Sequence, residues 1–253
     1  MDWIRLHIGE LFLLWSAHGR DELPAVLEVP HVGRTPEFRA ELVATASATL
    51  SERGLGTVDA PAPELVRLLH TVANSELTLD LRLDGDPAYR AVGCVSDRGA
   101  VAIGVSGTDV ELAALREPLV AATLLQALPP CEQGRGLSVN LRVDDYTAAC
   151  EAGERGGQPA FSDVLRDAGL REPEIIVMVR IATQRIGSGR LGAVRKSWEG
   201  RWVRGEGTLT WVDTPDGRYG LRRDRGWLTI TPLDASRLKS MAYELFTGAR
   251  QAG

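Results

Sequence analysis

The spacing of apolar residues changes twice along the chain, and each change marks a new kind of element. From residue 4 to 18, Ile4, Ile8, Leu11, Phe12 and Trp15 recur at three- and four-residue steps, the stripe of a helix, with Gly19 placed to end it. A short alternation at 25–29 predicts a strand. Thr35-Pro36 then starts a helix, because threonine can cap free amides and proline at the first helical position loses no hydrogen bond. Phe38, Leu42, Ala46 and Leu50 follow at four-residue steps before Gly54 closes the element, and a third helix covers 63–73.

Beyond residue 76 the period falls to two. Leu77, Leu79, Leu81 and Leu83 point one way and Thr78, Asp80 and Arg82 the other, which predicts a half-buried strand. Turns at Asp84-Gly85-Asp86-Pro87 and Asp97-Arg98-Gly99 separate strands at 89–95, 100–105 and 110–115. A helix at 119–128 stops at Pro129-Pro130. A strand at 138–143 and helices at 146–152 and 161–168 follow. Segment 174–185 is rich in strand formers, but its length and flanking caps allow a helix, the assignment adopted. Alternation returns in strands at 189–197, 208–213, 218–223 and 227–231, and a last helix covers 233–247.

At an offset of 118 residues Leu112 falls on Ile230, Leu115 on Leu233, Val120 on Leu238 and Leu128 on Phe246. Both halves run helices, then a meander, then a helix. The expectation is one domain over 1–253, with an N-terminal half 1–130 and a C-terminal half 131–253. A pseudo-two-fold internal duplication would give both halves a share in a central antiparallel sheet, an α+β fold.

Composition changes this picture little, since 44% hydrophobic and 25% charged residues are ordinary for a globular chain. The longest apolar runs, such as 11–15, hold five residues, far short of a membrane span, and no signal-peptide pattern opens the chain. A cytosolic location is expected. Charge changes more. A net charge of −5 and a pI near 5.5 argue against a dedicated nucleic-acid binder. Yet Arg180 to Arg225 holds eleven cations and five acids, a local +6 against −11 on the remainder. Within it, Arg195, Lys196, Arg201 and Arg204 alternate with Trp198 and Trp202, able to stack bases and grip phosphates, or to dock an acidic protein. The acidic whole favours the protein.

Catalytic chemistry is hard to find. Cys94, Cys131 and Cys150 are an odd number without paired spacing, which suits reduced thiols. The four histidines show no metal-ligand spacing, and Ser106 has no downstream histidine for a hydrolase triad. Residues 187–192 spell G-x-G-x-x-G, but no helical stripe follows, as a dinucleotide site requires.

Several segments carry a family resemblance in order and spacing. They are Glu10-Leu11-Phe12-Leu13-Leu14-Trp15 with Asp21-Glu22-Leu23-Pro24, Val29-Pro30-His31-Val32-Gly33-Arg34-Thr35, and the strand 77–83. Near the end come Asp213-Thr214-Pro215-Asp216-Gly217-Arg218-Tyr219 and Trp227-Leu228-Thr229-Ile230-Thr231-Pro232. Over nearly its full length the chain resembles the EspG family, cytosolic specificity chaperones of actinobacterial type VII (ESX) secretion. The resemblance implies a pseudo-two-fold α+β fold with a central antiparallel sheet and two helical bundles, no enzymatic activity and no cofactor. It also implies a helical secretion substrate as partner, in mycobacteria the PE–PPE heterodimer, whose aggregation-prone apolar tip the chaperone covers.

The resemblance implies the binding surface of the mycobacterial members: the loop after the first long strand, the sheet and the C-terminal helical bundle. Carried onto this chain, that implies partner contacts at Asp84, Asp86 and Tyr89, at Phe161 and Arg166 on the helix 161–170, and on the basic strand. There Trp198 and Trp202 would give apolar cover, and Arg195, Lys196, Arg201 and Arg204 would match charge. The turn at 84–88 is short beside many mycobacterial members, which brings in WXG100-like helical hairpins as the other client class. An open apolar face would favour weak homodimerisation of the free protein. The alternative function is a nucleic-acid-binding regulator using the basic 190–204 stretch.

Overall fold

The computed structural model describes residues 2–18, 22–205 and 207–251. The chain opens on a strand rather than a helix. Ile4–His7 (β1) pairs antiparallel with a later strand, Ile4 facing Leu112 and His7 facing Asp109, and α1 (Ile8–His18) begins only afterwards. The Ile8 N–H donates to the Thr108 carbonyl at 2.8 Å and the His7 N–H to the Glu10 carboxylate at 2.8 Å. These bonds place the helix start at Ile8 and leave the preceding residues free to pair. Gly19, expected to end the helix, lies outside the described residues. The strand expected at 25–29 is a 3-10 turn at Ala25–Leu27, because Glu28 takes a left-handed conformation (φ 52°) and Val26 and Leu27 turn into the core.

Helix α2 (Pro36–Glu52) starts as anticipated, the Phe38 N–H donating to Thr35 Oγ1 at 3.3 Å, and α3 is Pro63–Ala73. The meander follows as β2 (Leu77–Asp84), β3 (Tyr89–Ser96), β4 (Gly99–Ser106) and β5 (Asp109–Leu115). Next come the short α4 (Val120–Leu125) and β6 (Val139–Arg142). The two helices expected at 146–152 and 161–168 are longer and meet in α5 (Val143–Asp167), kinked at Gly157 (φ 70°), two residues before Pro159. The ambiguous segment is helical, α6 (Glu172–Thr183). Then come β7 (Gly187–Lys196), β8 (Trp202–Arg204), β9 (Leu209–Thr214), β10 (Gly217–Asp224), β11 (Trp227–Pro232) and α7 (Ala235–Gln251).

All ladders are antiparallel, in the order β1-β5-β4-β3-β2-β7-β9-β10-β11-β6, with β8 on the end of β7. The order mirrors itself about the β2–β7 pair, each meander closed at its outer edge by a four-residue strand, β1 or β6. Strands β4 and β10 begin at Gly99 and Gly217, and β5 and β11 at Asp109 and Trp227, so both pairs lie 118 residues apart.

One face of the sheet is covered at its middle by α4 and α7, over Leu79, Leu81, Leu191, Ala193 and Trp211. On the other face, α1–α3 cover the N-terminal meander over Val92, Ile103 and Leu112. There α5 and α6 cover the C-terminal one over Leu141, Val212, Tyr219 and Ile230. Between these two bundles, β2 and β7 carry no helix among the described residues. No helix among them is long and apolar enough to cross a membrane.

Candidate docking groove on the central strands

The alternation that sends Leu77, Leu79 and Leu81 into one core sends Thr78, Asp80 and Arg82 to the uncovered face. Register sets Gly192 of β7 beside Asp80, Arg190 beside Arg82 and Val194 beside Thr78. These residues floor a groove of about 730 Å³. One wall is the segment 22–26, which brings the Glu22 carboxylate, with Val72 and Ala73 at the end of α3, and the other is Gly200, Trp202 and Arg204.

The floor is unevenly charged. Arg82 lies between Arg90 on β3 and Arg190 on β7, so three arginines occupy one rung of the sheet. Like charges directly opposite one another are unfavourable. Glu28 relieves part of this, its carboxylate 2.5 Å from Arg82 Nη1 and 3.7 Å from Arg90 Nε, and Arg90 also donates to the Leu83 carbonyl at 2.9 Å. Arg190 has no carboxylate partner among the described residues. Asp80, one rung away, accepts from the Thr78 hydroxyl at 3.1 Å. Burial pushes its carboxyl above the ordinary aspartate value, against the opposing pull of Thr78, Arg204 and Arg82.

The basic segment expected as one strand is a hairpin. Strand β7 ends at Lys196, the Ser197 N–H donates to the Arg201 carbonyl at 2.7 Å, and β8 returns with Trp202 opposite Lys196 and Arg204 opposite Val194. Lys196, Trp202 and Arg204 therefore share the groove face, and the Lys196 ammonium sits 5.3 Å from the Trp202 ring centre. The Arg204 guanidinium lies against Gly192, where a Cβ would collide with it. Arg195 pairs with Val203 and points to the opposite face, a correction to its expected place beside Lys196. Trp198 stands at the hairpin tip, 93% exposed, and Arg201 is paired with Glu199 at 3.4 Å.

The other expected contacts lie elsewhere. Asp84 and the exposed Asp86 sit at the far end of β2, about 25 Å from the hairpin at the usual strand rise, and Asp84 accepts from the Ser188 hydroxyl. The Tyr89 ring covers Gly104 on the other face of the sheet, half-buried, where burial and then Glu111 push its phenol upward. Phe161 is only 5% exposed and packs in the core under α5 and α6, so its side chain serves packing rather than a partner surface. Arg166 is exposed and paired with Asp163 at 2.6 Å and Glu172 at 3.6 Å. Sequence reasoning missed Asp80, Arg82 and Arg190 as groove residues. The polar phase of Asp80 and Arg82 in the leucine alternation was visible, but the pairing of β2 with β7, which brings Arg190 beside them, was not.

Two motifs resolve into structure. The glycine-rich run 187–192 lies within β7 and makes no strand-to-helix turn; Gly189 lies under the Trp211 indole. In the 213–219 hairpin, Arg218 binds buried Asp213 through two bonds, Nε at 2.6 Å and Nη2 at 2.8 Å. The Arg218 N–H donates to Glu132, the Gly134 N–H to Arg218 and the Tyr219 hydroxyl to the Arg135 carbonyl at 2.7 Å. The hairpin thus clamps the connector between the two halves.

A search of the curated proteins returns no match. Among solved structures, that of the Mycobacterium tuberculosis type VII secretion system chaperone EspG5, in complex with the PE25–PPE41 dimer, is similar with a TM-score of 0.74. The similarity covers 97% of this chain and 96% of that one at 14% identity, a likeness of fold. A sequence profile described as the EspG family matches residues 7–244. With that match spanning most of both half-sheets and both bundles, the chain belongs to the EspG family.

Proposed function

We infer that the protein is a cytoplasmic, non-enzymatic chaperone of type VII secretion that holds a helical client of the PE–PPE kind until export. The observation that carries this reading is the uncovered stretch of β2 and β7 between two helical bundles, walled by apolar side chains and by Trp202, with Trp198 exposed beside it. A concave strip of this kind can shield the apolar end of a helical hairpin without enclosing its length. The relative of matching fold was solved with the PE25–PPE41 dimer, which makes a helical pair the first client to test. The short connection from Asp84 to Tyr89 favours a smaller WXG100-like hairpin as the second.

Co-expression of the chain with the helical proteins encoded beside its gene tests the reading. Co-elution as a discrete complex on size exclusion, with a client that is insoluble alone, is the expected result. Failure of every such protein to co-elute overturns it.

A further inference from the structure

The rung Arg90–Arg82–Arg190 sets the chemistry of what enters the groove. Glu28 supplies one carboxylate for Arg82 and Arg90, and the third position of the rung is left without one. Arg204 lies across Gly192, within electrostatic reach of Asp80. Asp80 is shared between Arg204 and Arg82, both of which stabilise its charge against the burial that opposes it. Two guanidinium groups therefore face the same open space, whose lining sets four cations, Arg82, Arg190, Lys196 and Arg204, against the carboxylates of Glu22 and Asp80 among the described residues. Each can take a carboxylate in the two-pronged geometry that arginine favours.

Size narrows the occupant further. A groove of about 730 Å³ is in the range that holds a few side chains, not a length of helical bundle. We propose that the client segment seated in this groove is the acidic tip of a helical hairpin, its carboxylates pairing with Arg190 and Arg204 and its apolar residues covered by Trp202 and the 23–26 turn. The proposal rests on the chaperone reading above and names the chemistry that reading leaves open. The charge balance suits it: the chain outside 180–225 carries a net −11, while 180–225 carries +6 and supplies both Arg190 and Arg204. Such complementarity steers encounter and fixes orientation.

Two synthetic helical-hairpin peptides, identical except for a glutamate-rich or glutamine-rich turn, provide the probe, followed by fluorescence anisotropy. The glutamate peptide should bind about tenfold more tightly than its glutamine twin at low salt and lose that preference at high salt. R190E/R204E should abolish the preference. Lys239→Glu, on α7 over the opposite face, should leave it intact. Glutamate at 190 faces Arg82 and should be tolerated by the fold; Arg190→Gln with Arg204→Gln gives a milder pair if melting curves show otherwise.

Equal binding of the two peptides, or a preference that survives R190E/R204E, overturns the proposal. So does tighter binding of a single-stranded oligonucleotide than of the glutamate peptide. The two inferences fail separately. Neighbouring helical proteins that never co-elute sink the chaperone reading whatever the peptides do. A client that co-elutes equally with wild type and R190E/R204E sinks only the acidic tip.

Discussion

The arginine-rich stretch builds two sites that look alike in one dimension and opposite in three. At the 213–219 hairpin, Arg218 is buried, bidentate to Asp213, and backed by the Pro129 carbonyl at 3.3 Å and the Trp211 ring at 5.8 Å. In the groove, Arg190 and Arg204 stand open, with cations outnumbering carboxylates. The first is closed on itself and holds the chain together; the second is incomplete until something arrives. A charge run in sequence carries no information about which of these it becomes, because the difference lies in whether a carboxylate is paired within the fold.

The sharpest way to break the comparison is to open the closed site. Arg218→Ala leaves the Asp213 carboxylate buried and unpaired, so stability should fall by about 3–5 kcal/mol, and the melting midpoint by about 10 °C. Arg218→Met with Asp213→Leu should recover most of that loss in the same calorimetric scan. If Arg218→Ala melts like the wild type, the hairpin clamp is not what holds the connector.

Glu10 is a second closed site and offers a milder test. Burial alone would raise its carboxyl, but bonds from Thr49 Oγ1 at 2.6 Å, the His7 N–H and Arg53 outweigh that and hold it below the ordinary 4.5. Glu10→Gln should cost about 2 kcal/mol at neutral pH. A lowered folded-state value gives stability that is present above 4.5 and lost as pH falls through the folded value. The gap between wild type and Glu10→Gln should therefore close in acid, which chemical denaturation at a series of pH values would show.

The open site should respond in the other direction. Arg190→Gln removes a like charge opposite Arg82, so stability should stay within about 0.5 kcal/mol of wild type or rise, while client binding weakens. The smallest effect is at Asp80. Its raised value means that its contribution is fully present below 3.8 and lost as pH rises through the folded value. Asp80→Asn should melt slightly higher than wild type at neutral pH, with no advantage left at pH 3. A lower midpoint for Asp80→Asn at neutral pH would instead make its carboxylate a net stabiliser of Arg204 and Arg82.

Much of the fold was legible because periodicity is local. Leu77, Leu79 and Leu81 announced both a strand and the face it buries, and the caps around Glu172–Thr183 outweighed its strand-forming side chains. Where local signals failed, a distant partner decided. Ile4–His7 continued a helix stripe, but β5 offered it a ladder. Residues 25–29 alternate like a strand, yet β2 and β3 already pair with neighbours on both sides, and the chain turns at Glu28 instead.

The groove was half legible for the same reason. Lys196, Trp202 and Arg204 stood out by composition. Arg82, Arg190 and Asp80 become a site only through the register of strands more than a hundred residues apart. Phe161 was misplaced because an apolar residue on a helix reads the same whether it faces a core or a partner.

The mirrored strand order has one more consequence. Along the sheet, the two meanders meet only at the ladder between β2 and β7, so that ladder is a seam. Any occupant resting on both strands acts as a staple across it. An occupied groove should then slow amide exchange in Leu77–Asp84 and Gly187–Lys196 more than at the outer edges, so that occupant and sheet brace one another along that line.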